Sequence, residues 1–374
     1  HSQTHVIPAG GTTASLSHFY EDDNPGGTPQ DIYNIYVSSD NTAGGGSTDL
    51  LVKNQKPIFM AADLSLTSLD EGESATLSGT FTDLGLKDSF HVVIEWGDGE
   101  VTTLNNLGTM TASGISINQT HTFADDHPSS GTPQDNLTVK LRAIDDDTGE
   151  ALQTFNLLVK NVAPSFSSLL LSETTIDEGG TVTLNGEFDD PGVKDTFSLV
   201  IEWGDGSVET HALPANASGH GSFSYDHTYL DDDPDTGTPA DILPVKVTLK
   251  DDDTGEVSDT LDLTVNNVDP EFTSFSLAPD TLEEGGTVSL QATFIDPGEG
   301  DTFTIEVDWG DGTQQSFSLD DVGSFSGGAG QFSIDHDYAD DETGSGDDLY
   351  EVIWRLIDDD TGEAADSGQV AVIN

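Results

Sequence analysis

Apolar and polar residues alternate along most of this chain, in short runs that are rich in Thr, Val and Ile. Residues 181–188 (Thr-Val-Thr-Leu-Asn-Gly-Glu-Phe) and residues 245–249 (Val-Lys-Val-Thr-Leu) show this period of two. Such runs are bounded by Gly, Pro, Asp and Asn, which favour turns. No stretch of useful length has the period of an amphipathic helix. The pattern predicts a chain built of short β-strands.

The same motifs recur three times in one order, which reveals an internal repeat. Trp96, Trp203 and Trp309 lie 107 and 106 residues apart, each within Trp-Gly-Asp-Gly. An acidic Glu-Gly motif and then Asp-x-Gly come before each Trp, and His-x-Phe/Tyr comes after it. A fifth motif, Asp-Asp-Asp-Thr-Gly-Glu, closes each copy, at residues 145–150, 251–256 and 358–363.

Residues 1–57 match the second half of this unit, since Leu-Leu-Val-Lys-Asn at 50–54 reappears at 157–161. We therefore expect a half repeat at 1–57, holding strands C′ to G, and whole repeats at 58–163, 164–269 and 270–374. About seven strands per whole repeat predict a β-sandwich. Residues 38–48, where Gly, Ser and Asn dominate, are expected to be irregular.

Trp-Gly-Asp-Gly, then His-x-Tyr/Phe, then a strand ending in Asp-Asp-Asp-x-Gly, resembles the PKD (polycystic kidney disease) repeats of very large bacterial surface proteins. The resemblance covers nearly the whole chain. It implies an all-β fold of tandem immunoglobulin-like sandwiches arranged end to end, an extracellular or cell-surface location in bacteria, and a role in adhesion or spacing. One departure is a long insert after His-x-Tyr, at residues 125–135, 231–241 and 340–348.

The charge is strongly one-sided, with 70 acidic and 10 basic residues and a formal net charge of −60. Ten cations are too few to bind nucleic acid or an anionic membrane surface. No apolar run reaches the ~18 residues of a membrane helix. No signal peptide is present, so we expect a mature chain or a window of a longer one. Repulsion at this density destabilises a compact fold unless cations neutralise it.

The acidic residues concentrate in loops, and sandwich topology gives those loops positions. The A–B, C–C′ and E–F loops share one pole, and the B–C and F–G loops share the other. Joining repeats end to end therefore brings the E–F pole of one repeat to the B–C and F–G pole of the next. The linker residues Asn161, Asn267 and Asp269 lie between them. Without cysteine or paired imidazoles, such oxygen clusters suit Ca²⁺.

We therefore predict several Ca²⁺ ions as the cofactor, their number unknown. The candidate ligands of the F–G loops are Asp145, Asp146, Asp147, Asp251, Asp252, Asp253, Asp358, Asp359 and Asp360. Those of the B–C loops, which also hold Asp195, are Asp83, Asp189, Asp190 and Asp296. The resemblance supports both sets, because calcium-bound PKD domains use acidic residues of these loops. Further candidates are Asp125, Asp126, Asp231, Asp232, Asp340 and Asp341 in the E–F loops and Glu71, Glu178 and Glu284 in the A–B loops. The competing interpretation is that Asp and Gly only build turns.

The remaining repeated residues are expected to be structural. The three tryptophans should pack in the sandwich cores. The histidines at 121, 227 and 336 should make structural hydrogen bonds, and the aspartates at 98, 205 and 311 should shape turns. No known catalytic motif is present and the same acidic sets recur in every repeat, so we assign no catalytic residue and expect no enzyme.

The sequence thus predicts a calcium-stiffened segment of an extracellular stalk or adhesin. One alternative is a self-assembling filament, in which residues 1–57 are completed by another chain. A second alternative is an adhesion array that binds carbohydrate or protein. The expected partners are accordingly other copies of the chain, or ligands at the cell surface or in the matrix.

Overall fold

The structure is a computed structural model, which describes residues 3–6, 13–21, 27–39, 44–108, 110–126, 131–214, 218–232, 237–339 and 347–373. Its regular elements are strands, apart from one four-residue helix, α1 (Leu319–Val322). The predicted all-β fold is confirmed. Within these residues, no helix has both the length and the apolar character needed to cross a membrane.

The chain forms two compact units. Unit 1 contains His1–Val162 and Pro191–Asp195, and unit 2 contains Ala163–Asp190 and Thr196–Asn374. This division is coarser than the four repeats expected from the sequence, whose boundaries stay a prediction.

Unit 1 begins with a two-stranded antiparallel sheet of β1 (Gln30–Ser38) and β2 (Gly45–Lys53). Strand β2 starts inside the segment that was expected to be irregular, because its first residues pair with the end of β1. Residues 3–6 and 13–21 form no strand, so the predicted strands C′ and E are absent from them. In the whole repeats those strands pair with strands C and B, which residues 1–57 do not include.

The sandwich of unit 1 has eight strands, which we letter A, A′, B, C, C′, E, F and G. They are β3 (Ile58–Leu64), β4 (Ser68–Asp70), β5 (Ser74–Thr82), β6 (Phe90–Glu95), β7 (Val101–Leu104), β8 (Ile115–Thr122), β9 (Gln134–Asp145) and β10 (Glu150–Lys160). One sheet has the order β3-β5-β8 and the other β4-β10-β9-β6-β7. The extra strand arises because the first one crosses between sheets, where β4 pairs parallel to β10.

Unit 2 contains two sandwiches of the same immunoglobulin-like topology. The first consists of β11 (Ser165–Leu171), β12 (Thr175–Asp177), β13 (Thr181–Asp189), β14 (Phe197–Glu202), β15 (Val208–Leu213), β16 (His220–Thr228), β17 (Ala240–Asp251) and β18 (Glu256–Asn266). The second consists of β19 (Glu271–Ala278), β20 (Thr281–Glu283), β21 (Thr287–Ile295), β22 (Phe303–Asp308), β23 (Gln314–Ser318), β24 (Gly323–Ser326), β25 (Ala329–Asp337), β26 (Asp347–Asp358) and β27 (Glu363–Ile373). Here β24 adds a fourth strand to the A–B–E sheet.

Each sandwich has its own apolar core, built from the alternating positions of its strands. The repeated tryptophans lie in these cores and are at most 1% exposed, as predicted. A histidine ring stacks on each of them, for example His227 on Trp203 at a centroid distance of 4.6 Å. The Nε2 of His227 lies 2.7 Å from Oδ2 of Asp205, so the predicted structural hydrogen bond forms. Equivalent pairs are His121 with Asp98 and His336 with Asp311.

Asp205, the turn aspartate that pairs with His227, makes a pH-dependent contribution to the stability of its sandwich. Burial alone would raise the pKa of Asp205, but hydrogen bonds from Ser207 and His227 outweigh it and hold the pKa below its ordinary value. A carboxylate with a depressed folded-state pKa stabilises the fold above its unfolded-state pKa, and that stability is lost as pH falls through the folded-state pKa.

We expect Asp205→Asn to lower the unfolding free energy of its sandwich by about 1–2 kcal/mol at neutral pH, because a charged hydrogen-bond acceptor is lost. The difference from the parent chain should begin to shrink below about pH 4, where the unfolded-state carboxylate takes up a proton, and should vanish once the folded-state carboxylate is protonated at still lower pH. Thermal or urea unfolding at several pH values measures it. Glu187→Gln, an exposed change of the same charge in β13, is the control. An equal loss in the control, or a loss independent of pH, would contradict this account.

Candidate metal centre

The F–G turns carry three consecutive aspartates, and the first of them closes the turn. Oδ1 of Asp358 accepts hydrogen bonds from the amides of Asp360 at 3.0 Å and Gly362 at 2.7 Å. The same two bonds form at Asp145 and at Asp251. All three of these carboxylates are buried. The sequence Asp-Asp-Asp-Thr-Gly thus holds one carboxylate at a fixed place at the end of strand F.

The second and third aspartates of the F–G turns point to different neighbours. The second accepts a hydrogen bond at 2.7–2.9 Å from the backbone amide just before strand C, and this bond ties the B–C loop to the F–G turn. The pairs are Asp146 with Ser89, Asp252 with Thr196 and Asp359 with Thr302. The third is again buried, at Asp147, Asp253 and Asp360. The predicted F–G candidates therefore lie on one turn, but only two of each three are buried.

Each B–C loop has a buried aspartate at its start, at Asp83, Asp190 and Asp296. Asp83 lies beside Asp145 of its F–G turn, and Asp296 lies close to Asp358 of its own. Backbone amides two residues on fix two of them, because Gly85 donates to Asp83 at 2.7 Å and Gly298 donates to Asp296 at 2.8 Å. Asp189, which was also a candidate, is exposed, and its Oδ1 lies 2.7 Å from Nδ1 of His220. The strand alternation of β13 directs Asp189 and Asp190 to opposite sides, so Asp189 makes a different contact.

A compact carboxylate group forms where the B–C loop meets the F–G turn. In unit 1 it consists of Asp83, Asp88 and Asp145, with one oxygen from each lying within 4.8 Å of the others. All three are at most 5% exposed. Asp88 also belongs to a second group, with Asp146 and Asp147. Three carboxylates this close are strongly repulsive when ionised, so the group favours either protons or a cation.

The linker asparagines lie against this group, as expected. The Nδ2 of Asn54 donates to Oδ2 of Asp145 at 3.0 Å, and Asn267 makes the same bond to Asp358 at 3.1 Å. Oδ1 of Asn267 is buried and accepts no hydrogen bond from the described residues. A linker amide oxygen is therefore available beside the carboxylates.

A second carboxylate group in unit 2 joins residues of both its sandwiches. It consists of Glu178, which follows β12, Asp231, which follows β16, and Asp301, which precedes β22; the three ligand oxygens lie within 4.8 Å of one another. Glu178 is 3% exposed, and its Oε1 accepts a hydrogen bond at 2.7 Å from the amide of Val268 in the linker. We call this contact region between the two sandwiches the unit 2 junction.

Backbone contacts hold the unit 2 junction close. The amide of Gly300 donates to the carbonyl of Leu230 at 3.2 Å, and the amide of Gly237 donates to Asp360 at 2.8 Å. Gly179 has a φ of 72°, and a Cβ atom there would lie 2.9 Å from the carbonyl oxygen of Pro297. The glycine of the Glu-Gly motif is therefore required both by its backbone conformation and by its neighbour.

Unit 1 repeats these contacts. The amides of Gly27 and Thr28 donate to Asp147 at 2.6 and 3.1 Å, as Gly237 does to Asp360. The amide of Leu86 donates to the carbonyl of Glu21, as Gly300 does to Leu230. Unit 1 also contains a second carboxylate group equivalent to that of the junction, formed by Glu71, Asp125 and Asp195. Oε1 of Glu71 accepts from Val162 at 2.6 Å.

The other predicted residues differ in their burial. Asp126 and Asp232 of the E–F loops are fully buried, whereas Glu284 is exposed. Asp340 and Asp341 lie outside the described residues. The carboxylate of Asp232 has no hydrogen-bond donor among the described N–H and O–H groups. Its neighbour is the carboxyl of Asp360, with which it shares a hydrogen bond only when one of the two is protonated. The buried part of the junction thus contains more carboxylate oxygens than the described hydrogen-bond donors can pair.

Burial and mutual repulsion raise the pKa of these carboxyls. Burial raises the pKa of Asp301 to about 9, and the carboxylates of Glu178 and Asp296 add to the rise. Burial also raises the pKa of Glu178 to about 8. The pKa of Asp232 rises to about 7 through burial and then through Asp360, and burial raises those of Asp83 and Asp296 to about 6. Without a cation, part of this group holds protons at neutral pH.

Sequence reasoning missed one regular ligand candidate. Asp88, Asp195 and Asp301 each come five residues after the buried B–C aspartate, and all three are buried within carboxylate groups. Only Asp195 was placed in a B–C loop beforehand, and none was proposed as a ligand. The constant spacing of five residues was the available signal.

Comparisons with known proteins concern the fold. No protein-family model matches the sequence, and no curated protein matches it. The chain is similar to a tetra-tandem repeat in the extending region of a large adhesion protein, with 18% identity over 92% of this chain and 81% of that one and a TM-score of 0.43. An ICAM-5 ectodomain fragment has 12% identity over 92% and 84%, with a TM-score of 0.31. Drosophila OTK extracellular domains 3–5 have 11% identity over 85% and 97%, with a TM-score of 0.25.

At these levels of identity and TM-score, the similar structures do not indicate a function for this chain. The chain's own sheets establish tandem immunoglobulin-like sandwiches, and the narrower PKD resemblance stays a prediction. Chemically, the groups offer carboxylate and amide oxygens without sulfur, and several of those oxygens have no hydrogen-bond donor among the described residues. Such a donor set fits a hard divalent cation, and Ca²⁺ tolerates the irregular geometry of loops better than Mg²⁺ does.

The close approach at Gly179 gives a matched pair of variants. Gly285 is the equivalent glycine of the Glu-Gly motif in the next sandwich and has a φ of 73°, but a Cβ atom there would meet no heavy atom within 4 Å. We expect Gly179→Ala and Gly285→Ala to share a backbone strain of about 1–2 kcal/mol. Only Gly179→Ala should also weaken the coupled unfolding of the two sandwiches of unit 2, which differential scanning calorimetry detects. Equal calorimetric profiles for the two variants would show that the contact contributes nothing.

The raised pKa values predict how the cation-free protein responds to pH. A carboxyl whose folded-state pKa exceeds its unfolded-state value stabilises the fold while it is protonated and loses that contribution when it ionises. The contribution of these carboxyls to the unfolding free energy is therefore fully present near about pH 4 and is lost as pH rises toward about 9. In chelator, the melting temperature should therefore fall between pH 5 and pH 9. Asp301→Asn should flatten this fall, whereas Asp320→Asn, an exposed change of the same charge, should not. A melting temperature that rises with pH in chelator would contradict the prediction.

Proposed function

We propose that this chain is a non-enzymatic segment of an extracellular, adhesion-type repeat array whose junctions are stiffened by Ca²⁺. The observation that supports it most is the unit 2 junction, where Glu178, Asp231 and Asp301 converge from two sandwiches. The residues that make the contact between sandwiches are thus also the residues that would bind the ion. Binding and mechanical coupling are therefore one event.

Electrostatics explains why the junction needs an ion to be stiff. Ionised carboxylates in a partly buried site repel one another strongly, because the effective dielectric constant there is well below that of water. Protons relieve the repulsion but leave each carboxyl with few directional contacts. A divalent cation relieves it and also draws oxygens from both sandwiches to about 2.3–2.6 Å. The contact then resists bending as well as separation.

A role as spacer or adhesin segment accords with the repeated design. The same acidic motifs recur in each whole repeat, and catalytic sites are not expected in three identical copies. The PKD resemblance of the motifs implies adhesion or spacing outside the cell. Extracellular fluids contain Ca²⁺ at concentrations that suit the weaker class of calcium sites, with Kd values of about 10⁻⁴–10⁻³ M.

The test of the calcium proposal is thermal unfolding in chelator and with added Ca²⁺ at pH 7.5 and low ionic strength. A site filled at 100 times its Kd stabilises the fold by about 2.7 kcal/mol. One kcal/mol of added stability raises the melting temperature by roughly a few degrees. With several sites filled, we therefore expect a rise of about ten degrees or more. Mg²⁺ at the same concentration is the control for ionic strength and should have a smaller effect. An unchanged melting temperature would refute the proposal.

Stiffening is measurable separately from stability. The chain contains no cysteine, so Glu187→Cys and Gln331→Cys give unique spin labels on exposed strand positions of the two sandwiches in unit 2. We expect the distribution of the distance between the labels to narrow when Ca²⁺ is added and to broaden again in chelator. Adding Glu178→Gln to the labelled chain should abolish the narrowing. Calcium-dependent stability without narrowing would show that the ion supports single sandwiches but not the junction.

A further inference from the structure

Asp301 belongs to two carboxylate groups at once, one within its own sandwich and one across the unit 2 junction. The junction group contains Asp301 with Glu178 and Asp231. Within the sandwich, the carboxylates of Asp296 and Asp358 also lie close enough to repel that of Asp301. Four other carboxylates therefore lie near that of Asp301, two from each group.

Unit 1 contains both kinds of group, each built around a different aspartate at the position equivalent to Asp301. Asp88 shares a group with Asp83 and Asp145, which correspond to Asp296 and Asp358. Asp195 shares a group with Glu71 and Asp125, which correspond to Glu178 and Asp231. Both kinds of group therefore exist as compact sets of three oxygens within 4.8 Å. The aspartate five residues after the buried B–C aspartate thus belongs to one kind of group at Asp88 and to the other kind at Asp195.

The side chain of Asp301 is buried and points toward the carboxylates of the unit 2 junction. It is 7% exposed, and neither of its carboxylate oxygens accepts a hydrogen bond from the part of the chain that the structure describes. A Cβ atom built on Gly298 would lie 2.5 Å from Oδ1 of Asp301 and 2.5 Å from Oε2 of Glu178. Oε2 of Glu178 likewise accepts no hydrogen bond from those residues. Glycine at 298 thus leaves open the space where these oxygens converge.

We propose that Asp301 bridges two divalent cations, one held with Asp296 and Asp358 and one held with Glu178 and Asp231. This inference rests on the proposed calcium function and adds the number and arrangement of the ions. Five carboxylates carry a charge of −5, which a single Ca²⁺ leaves at −3 and two Ca²⁺ ions leave at −1. A carboxylate has two oxygens, so one can face each ion. The ion inside the sandwich then orients the ligand that the junction ion needs.

The experiment counts the ions bound to the full chain. Native mass spectrometry in calcium-containing volatile buffer gives the stoichiometry of the parent chain and of three isosteric variants. We expect Glu178→Gln to bind one ion fewer than the parent, Asp296→Asn one fewer, and Asp301→Asn two fewer. Asp320→Asn, on the exposed surface, should bind the same number as the parent. Circular dichroism confirms that each variant is folded.

Two outcomes would overturn the bridge. One is a loss of one ion or none in Asp301→Asn, which makes it an ordinary ligand or no ligand. The other is the loss of a single ion in the double variant Glu178→Gln/Asp296→Asn, which reduces the centre to one cation; we expect it to lose two. The double variant tests the presence of two ions, which the bridge requires, even when Asp301→Asn does not fold. A parent chain that binds no Ca²⁺ would instead refute the proposed function itself.

Discussion

Repulsion among buried carboxylates is the constraint on which the rest of this structure depends. The sandwiches are ordinary in their cores, where mainly Trp, Phe, Leu and Val pack together. Their poles are not ordinary, because Asp301, Glu178 and Asp232 are almost fully buried and lack hydrogen-bond donors for some or all of their oxygens among the described residues. A fold that buries such groups is stable only if protons or cations compensate them.

The backbone is arranged to hold these acids in place. Strand F ends in a turn that closes around its first aspartate, and the second aspartate draws in the backbone before strand C. The junction is then made from short loops that touch through glycine, as at Gly179 and Gly300. The strands thus position hydrogen-bonded loops, and the loops bring acids from two sandwiches together. Under the proposed function, the stability and the stiffness of this junction both depend on the Ca²⁺ concentration.

Much of this was predictable from the sequence. The repeat of Trp-Gly-Asp-Gly and the alternating strands predicted the β-sandwiches. Loop order predicted that linker residues such as Asn267 would lie among the acidic loops, and Asn267 donates a hydrogen bond to Asp358. The split first strand and the choice between Asp189 and Asp190 depend on local strand geometry, which a pattern of period two does not resolve. Asp301 was not predicted as a ligand because it sits away from the acidic runs, and only the fold brings it close to Asp296 in its own sandwich and to Glu178 of the other.

The most direct measurement is a crystal structure of the full chain grown with Ca²⁺, with data collected for anomalous scattering. The account predicts anomalous peaks among Glu178, Asp231 and Asp301 and beside Asp296 and Asp358, with oxygen ligands at about 2.3–2.6 Å. Waters or directly hydrogen-bonded carboxyl pairs at these places, with no anomalous peak at saturating Ca²⁺, would contradict it.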